Sequence, residues 1–253
     1  MEFLIEVYEI FIKYYPSFIY GAKFTLQIAI TSTIFGVIIG LFIGALRANK
    51  IEPTDSSLTK FSKKLIHLIT SIYVEVYRGT PMMVQAVFIY YALKPVLNWS
   101  PITAGIFIVS INTGAYMTEI IRSGIQSVDK GQTEAARSLG MSSLQTLFYV
   151  VLPQAFKNAF PSIGNEFIVN IKDSSVLNVI SVTELFFQSN SVAGSIFKYK
   201  ETFFVTAIIY LVLTFTTSRI LNLIEKKMYH KKTSYPASQT MDTTIHLTTS
   251  EVK

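Results

Sequence analysis

Residues 22–46 carry one charge, Lys23, at their outer edge, and the run stops at Arg47. A helix over this stretch is long enough to cross the roughly 30 Å hydrocarbon core of a bilayer. That places the chain among membrane proteins and makes an all-α membrane fold the expectation. Composition agrees. Charged residues make up 15% of the chain, against about 25% in soluble domains. Within the same run Gly36, Gly40 and Gly44 recur every four residues. This doubled G-x-x-x-G pattern puts a small-residue stripe on one face, where another helix can approach closely.

The stretch "MEFLIEVYEIFIKYYPS" does not read as a signal peptide, because Glu2 and Glu6 stand where basic residues are expected. Glu2, Glu6, Glu9 and Lys13 punctuate apolar residues at helical spacing. The expectation for 1–19 is a short amphipathic helix at the interface; the alternative is the start of a longer first span. Four further spans are expected after 22–46. They cover about 65–93, 102–121, 154–172 and 203–223, the fourth being poorly hydrophobic. Residues 226–253 form a Thr/Ser-rich polar tail, expected to be disordered.

The net charge is +6, and the basic residues fall between the apolar runs. Arg47, Lys50, Lys60, Lys63 and Lys64 come after span one. Arg122, Lys130, Arg137 and Lys157 come after span three, and "EKKMYHKK" after span five. The positive-inside rule then puts the N-terminus outside and the C-terminus in the cytoplasm. This distribution favours membrane orientation over nucleic-acid binding.

The loop 129–153 therefore faces the cytoplasm. Its "GQTEAARSLGMSS" is polar and helix-prone. Asp129 suits an N-cap, with Gln132 three residues on as in a capping box. Gly140 suits the position past a helix end, where φ is positive. Ser142 or Ser143 can cap a second helix, "LQTLFYVVL", expected to stop at Pro153. Ala135 and Ala136 leave a low surface for another protein.

"EAARSLG", with "VVLP" ten residues after Gly140, resembles the Glu-Ala-Ala loop of ABC-importer permeases. "GAYMTEIIRSGIQSVDKGQTEAARSLGMS", "LPQAFKNAFPSIGNEFIVNIKDSS" and "YVEVYRGTPMMVQ" resemble the polar amino acid subfamily, the histidine/glutamine/arginine-type permeases. The resemblance covers about residues 20–225. Two departures are mild: Asp129 stands where proline is usual, and Ser174 where threonine is common. The resemblance implies a type I ABC importer permease fold in a bacterial plasma membrane. It implies that Glu134, Ala135, Ala136 and Gly140 contact a separate ATPase, which holds the ATP and magnesium, while this chain binds no cofactor of its own. It also implies a second permease subunit, a separate extracellular amino-acid-binding protein, and a polar amino acid as substrate.

Charges inside the spans give the candidate path. Glu75 and Arg78 lie three apart on one helix, close enough to pair. The other reading is that Arg78, with Gly79, Thr80 and Pro81, lines the path. Pro81 lacks a backbone donor, so a kink there exposes carbonyls. Glu119 and Arg122 are expected to form a structural pair. "NEFIVNIKDSS" carries Asn165, Glu166, Asn170, Lys172, Asp173, Ser174 and Ser175 on a helix too polar for lipid. A zwitterionic amino acid needs an anion, a cation and hydroxyl or amide donors, and Lys172, Asp173, Ser174 and Ser175 supply these types. Adjacent helical residues diverge by about 100°, so a break near Lys172–Ser174 would help them converge. As ordinary helix-end charges, Lys172 and Asp173 would instead sit at the outer interface.

Other function classes have little support. No G-x-x-x-x-G-K-[ST] is present, so a P-loop is excluded. His67, His230 and His246 are scattered, there are no cysteines, and no metal constellation or nucleophile–base arrangement stands out. A stand-alone secondary transporter or channel would favour an inverted repeat, and none is visible. Some 250 residues leave no room for a fused extracellular binding domain.

Overall fold

A computed structural model describes residues 2–48 and 55–229, and the described residues are helical or short connections between helices. The order is α1 (Glu2–Ala48), α2 (Ser57–Gly79), α3 (Met82–Leu97), α4 (Pro101–Gln126), α5 (Lys130–Ser138), α6 (Ser143–Thr146), α7 (Leu152–Asp173), α8 (Leu185–Ile196) and α9 (Tyr199–Tyr229). A π-helical turn, Leu147–Val151, joins α6 to α7, and a 3-10 turn, Ser174–Ile180, comes after α7. Lys50 and residues 230–253, the greater part of the expected tail, lie outside the described residues. Residues 226–229 continue α9.

Among the described residues, three helices are long and apolar enough to cross a membrane: Glu2–Arg47, Pro101–Gln126 and Tyr199–Met228. The other two expected spans depart from that criterion for different reasons. Residues 65–93 are not one helix, because the chain breaks between α2 and α3. Residues 154–172 are a continuous helix but a polar one.

The first correction concerns residues 1–19. No helix end falls near residue 19; α1 runs for 47 residues with Pro16 inside it. At 1.5 Å per residue that is about 70 Å. Ile10 and Phe18 pack with Leu185, Val192 and Val205 of α8 and α9. Glu6 pairs with Lys198 at 2.8 Å. One charged residue of the apparent polar stripe therefore meets protein, while Leu4, Tyr8, Ile12 and Ile19 are exposed. The helical periodicity is present, but tertiary packing decides which face it serves.

Apolar side chains gain little from leaving lipid for a neighbouring helix, so association rests on close packing and interhelical hydrogen bonds. Both are present. A Cβ on Gly36 would lie 2.5 Å from Thr113, one on Gly40 2.4 Å from Met117, and one on Gly44 3.0 Å from Ile121. The glycine stripe thus seats α1 directly on α4. Beside it Asn170 of α7 donates to Thr33 of α1 at 2.9 Å and accepts from Thr113 of α4 at 3.0 Å. This buried amide joins three helices. Toward the opposite end, the buried Glu184 accepts from the Phe186 and Phe187 amides at 2.9 and 2.8 Å and from Tyr210 at 3.0 Å. Its carboxylate caps α8 and ties it to α9.

Candidate functional site

The break between α2 and α3 positions the first part of the site. Thr80 is extended, at φ −122° and ψ 147°, as expected for a residue preceding proline. Pro81 has no N–H to continue the ladder. The kink expected at Pro81 is therefore a full interruption. It leaves the last carbonyls of α2 without helical partners, and side chains replace them. Thr80 Oγ1 donates to the Val76 carbonyl at 2.7 Å. Gln85 Nε2 donates to the carbonyls of Tyr77 at 2.9 Å and Thr80 at 3.0 Å.

Arg78 leaves this break toward α4, with its guanidinium 5.5 Å from the centre of the Tyr116 ring. A cleft of about 350 Å³ opens here, lined by Arg78, Tyr116, Glu119, Ser123, Ser127, Asn158 and Ser162, with small and aliphatic residues between them. Glu75 is exposed and is not among the residues lining the cleft. Among the described residues no Glu75–Arg78 ion pair forms, so the intrahelical pair is not what holds Arg78. Sequence reading missed Tyr116, Ser123, Ser127, Asn158 and Ser162 as lining groups. A signal was available: 116, 120, 123 and 127 recur at helical spacing down one face of α4.

The expected Glu119–Arg122 pair forms at 2.7 Å, but it has a third member. Arg47, at the end of α1, reaches Glu119 at 2.8 Å. Glu119 is therefore neutralised by two arginines. Among the described residues Arg78 is the remaining cation lining the cleft.

The end of α7 divides the other predicted residues. The helix changes from α to 3-10 geometry after Asp173, at the position where a break was expected. The tightened turn does not bring the four candidates together. Ser174 is fully buried and donates to the Ile171 carbonyl at 2.9 Å, so it is a structural hydroxyl. Lys172 is exposed, while Asp173 and Ser175 are half-buried. Asn165 lines a second, smaller hollow between α7 and α9 with Ser218, Asn222 and Glu225. None of these residues lines the Arg78 cleft.

The loop 129–153 forms as two short helices about Gly140. Asp129 caps α5 by accepting from the Gly131 amide at 2.7 Å. The capping box expected with Gln132 does not form; Gln132 accepts from Gln154 instead. The box is at Ser142 and Gln145, where both reciprocal bonds are present. Gly140 has φ +84°. Its amide donates to Arg137 at 3.0 Å and the Met141 amide to Ala136 at 3.2 Å, the double bond of a Schellman end. The second helix does not stop at Pro153. The π turn widens the ladder, with the Leu152 amide donating to Leu147, and the wider spacing admits a residue that lacks N–H. Glu134, Ala135 and Gly140 are exposed; Ala136 turns inward at 5% exposure. Leu139 and Tyr149 stand out at 85% and 75% exposure.

Residues 36–230 match the sequence profile of the family described as binding-protein-dependent transport system inner membrane component. The chain belongs to this family. It is 37% identical to the glutamine transport system permease protein GlnP of Escherichia coli (strain K12), over 84% of this chain and 93% of that protein. It is 35% identical to the probable amino-acid permease protein YxeN of Bacillus subtilis (strain 168), over 87% and 95% of the two chains. The fold matches a solved amino acid ABC transporter at 41% identity and TM-score 0.75, covering 85% of this chain and 96% of that one. It also matches the inward-facing MetNI methionine ABC transporter at TM-score 0.70 over 83% and 95% of the chains, where 17% identity speaks for the fold alone. The relatives are permease components of ABC transporters and not enzymes.

Proposed function

We propose that this permease carries a polar amino acid across a bacterial plasma membrane by alternating access. Separate ATPase subunits, which bind ATP and magnesium, drive it. A separate extracellular binding protein delivers the substrate, and a second permease subunit completes the path. The chain holds no cofactor. Its spans run N-terminus outside to C-terminus inside. The observation that carries the substrate class is the likeness over nearly the whole chain to permeases named for amino acids.

The geometry supports particular roles. Glu134, Ala135 and Gly140, with Leu139 beside them, form the ATPase-facing surface; Ala136 holds α5 onto the loop. Arg78 is the partner for the substrate carboxylate, because it is the cation lining the cleft. Lys172, Asp173 and Ser175 act at the outer end of α7, at a stage of the path separate from the Arg78 cleft, where Asp173 meets the substrate ammonium group. Ser174 and Pro153 are structural.

The test is uptake of labelled amino acids by proteoliposomes. They contain this chain, its ATPase and the cognate binding protein. ATP-dependent uptake of one polar amino acid, lost in Glu134→Lys with the complex intact, is the expected result. An intact, ATP-hydrolysing complex that moves none of the amino acids refutes the substrate class.

A further inference from the structure

The strongest unassigned feature is the polar staple under the α2–α3 break. Gln85 and Asn112 are 7% and 8% exposed, and both are uncharged amides. Gln85 Nε2 donates to the Tyr77 and Thr80 carbonyls and lies 2.7 Å from Thr80 Oγ1. Asn112 Nδ2 donates to Gln85 Oε1 at 2.8 Å and to the Tyr77 carbonyl at 3.3 Å. Each amide hydrogen is thus spent on the open end of α2 or on the other amide. Burial makes these bonds costly to lose.

The staple grips the chain immediately before Arg78, whose direction is set by the plane of the Tyr77 peptide. Asn112 belongs to α4, one turn before Tyr116, the ring that Arg78 overlies. The staple therefore fixes the backbone at Arg78 relative to the same helix that forms the cleft wall. Neither Gln85 nor Asn112 lines the cleft itself. Apolar residues at 85 and 112 would also fill the space, but would leave the Tyr77 and Thr80 carbonyls bare.

We propose that Gln85 and Asn112 are positioning residues for transport: acting through the Tyr77 and Thr80 carbonyls, they hold Arg78 over the cleft. This rests on the reading of that cleft as part of the substrate path.

The chain has no cysteine, so the thiol introduced by Arg78→Cys is its only one. In the assembled complex its rate of modification by a charged, water-soluble methanethiosulfonate reports whether position 78 faces the cleft. Asn112→Asp keeps the shape and removes both donors; Asn112→Ser is a smaller second variant in case the first fails to assemble. Either is expected to change that rate about tenfold or more, since the Asn112 bonds to Gln85 and to the Tyr77 carbonyl are both lost. The thiol of Ser127→Cys, elsewhere in the cleft, should react at its original rate. In the chain with Arg78 intact, Asn112→Asp should lower maximal uptake with the half-saturating concentration of liganded binding protein unchanged. An unaltered modification rate at position 78 in an assembled variant overturns the proposal. An altered rate with normal uptake keeps the positioning role and refutes the cleft as the path.

Discussion

Glu119 of α4 binds Arg47 of α1 at 2.8 Å, across 72 residues of chain, and its second oxygen takes Arg122 at 2.7 Å. One carboxylate therefore joins the end of the first helix to the helix that forms the cleft wall. Arg47 and Glu119 are only 18% and 20% exposed at their side chains. Removing the acid leaves two guanidinium groups adjacent. Glu119→Ala is expected to destabilise the solubilised protein by about 1–3 kcal/mol, below the range for fully buried pairs because water still reaches this one. A double-mutant cycle in thermal unfolding, with Arg47→Met and Glu119→Gln, should give coupling above about 0.5 kcal/mol. Strict additivity would show that the contact stabilises nothing.

The α1–α4 seam has a sharper dependence. A Cβ at Gly40 would lie 2.4 Å from the Met117 Cβ and 2.7 Å from its carbonyl carbon. Backbone on the far side cannot rotate away, so α1 must lift off. Gly40→Leu is expected to abolish a monodisperse gel-filtration peak, and Gly40→Ala to lower its yield. Gly79→Ala is the contrast, since an added Cβ there meets nothing within 4 Å. Equal yields for Gly40→Leu and wild type would contradict close packing at this seam.

Gly140 tests the loop between α5 and α6. Its φ of +84° strains any residue with a Cβ, by about 1–2 kcal/mol, while asparagine tolerates it best. Gly140→Val should raise amide hydrogen exchange across 136–145 about tenfold, and Gly140→Asn should change it little. If both variants exchange alike, the Schellman end is not what orders the loop.

Much of this is legible in the sequence, and the limits are physical. The glycine stripe, the helix stop at Gly140 and the Glu119–Arg122 pair are local signals with one geometric solution each. The Pro81 interruption is legible as a kink, but its extent depends on Gln85 and Asn112, which lie on two other helices. Arg47 reads as a topogenic charge, since a sequence gives it no partner 72 residues away. The boundary at residue 19 fails for a related reason. Glu6 reads as solvated until Lys198 is brought against it. The Pro153 stop fails because a π turn, which has no simple sequence signature, removes the clash. The cleft itself is assembled from α2, α4 and α7, and only the α4 face has a readable spacing.

Nothing in the sequence singles out Glu184, although it is fully buried and holds four groups. Besides the two α8 amides and Tyr210, the Thr25 hydroxyl of α1 lies 3.4 Å from its Oε2. Thr25 Oγ1 in turn accepts from the Leu185 amide at 3.2 Å. The site is a shared acceptor for three helices, so its members should depend on one another. Tyr210→Phe removes one donor and is expected to cost about 1–2 kcal/mol. Glu184→Ala strands the Phe186 and Phe187 amides and the Tyr210 hydroxyl together, and should cost more, about 3–5 kcal/mol. In the Glu184→Ala background the Tyr210→Phe change should become nearly neutral, because the hydroxyl it removes no longer has an acceptor. Thermal unfolding of the four variants in detergent measures this. If Tyr210→Phe costs the same in both backgrounds, the carboxylate is not the partner that stabilises the tyrosine, and α8 is held to α9 by packing alone.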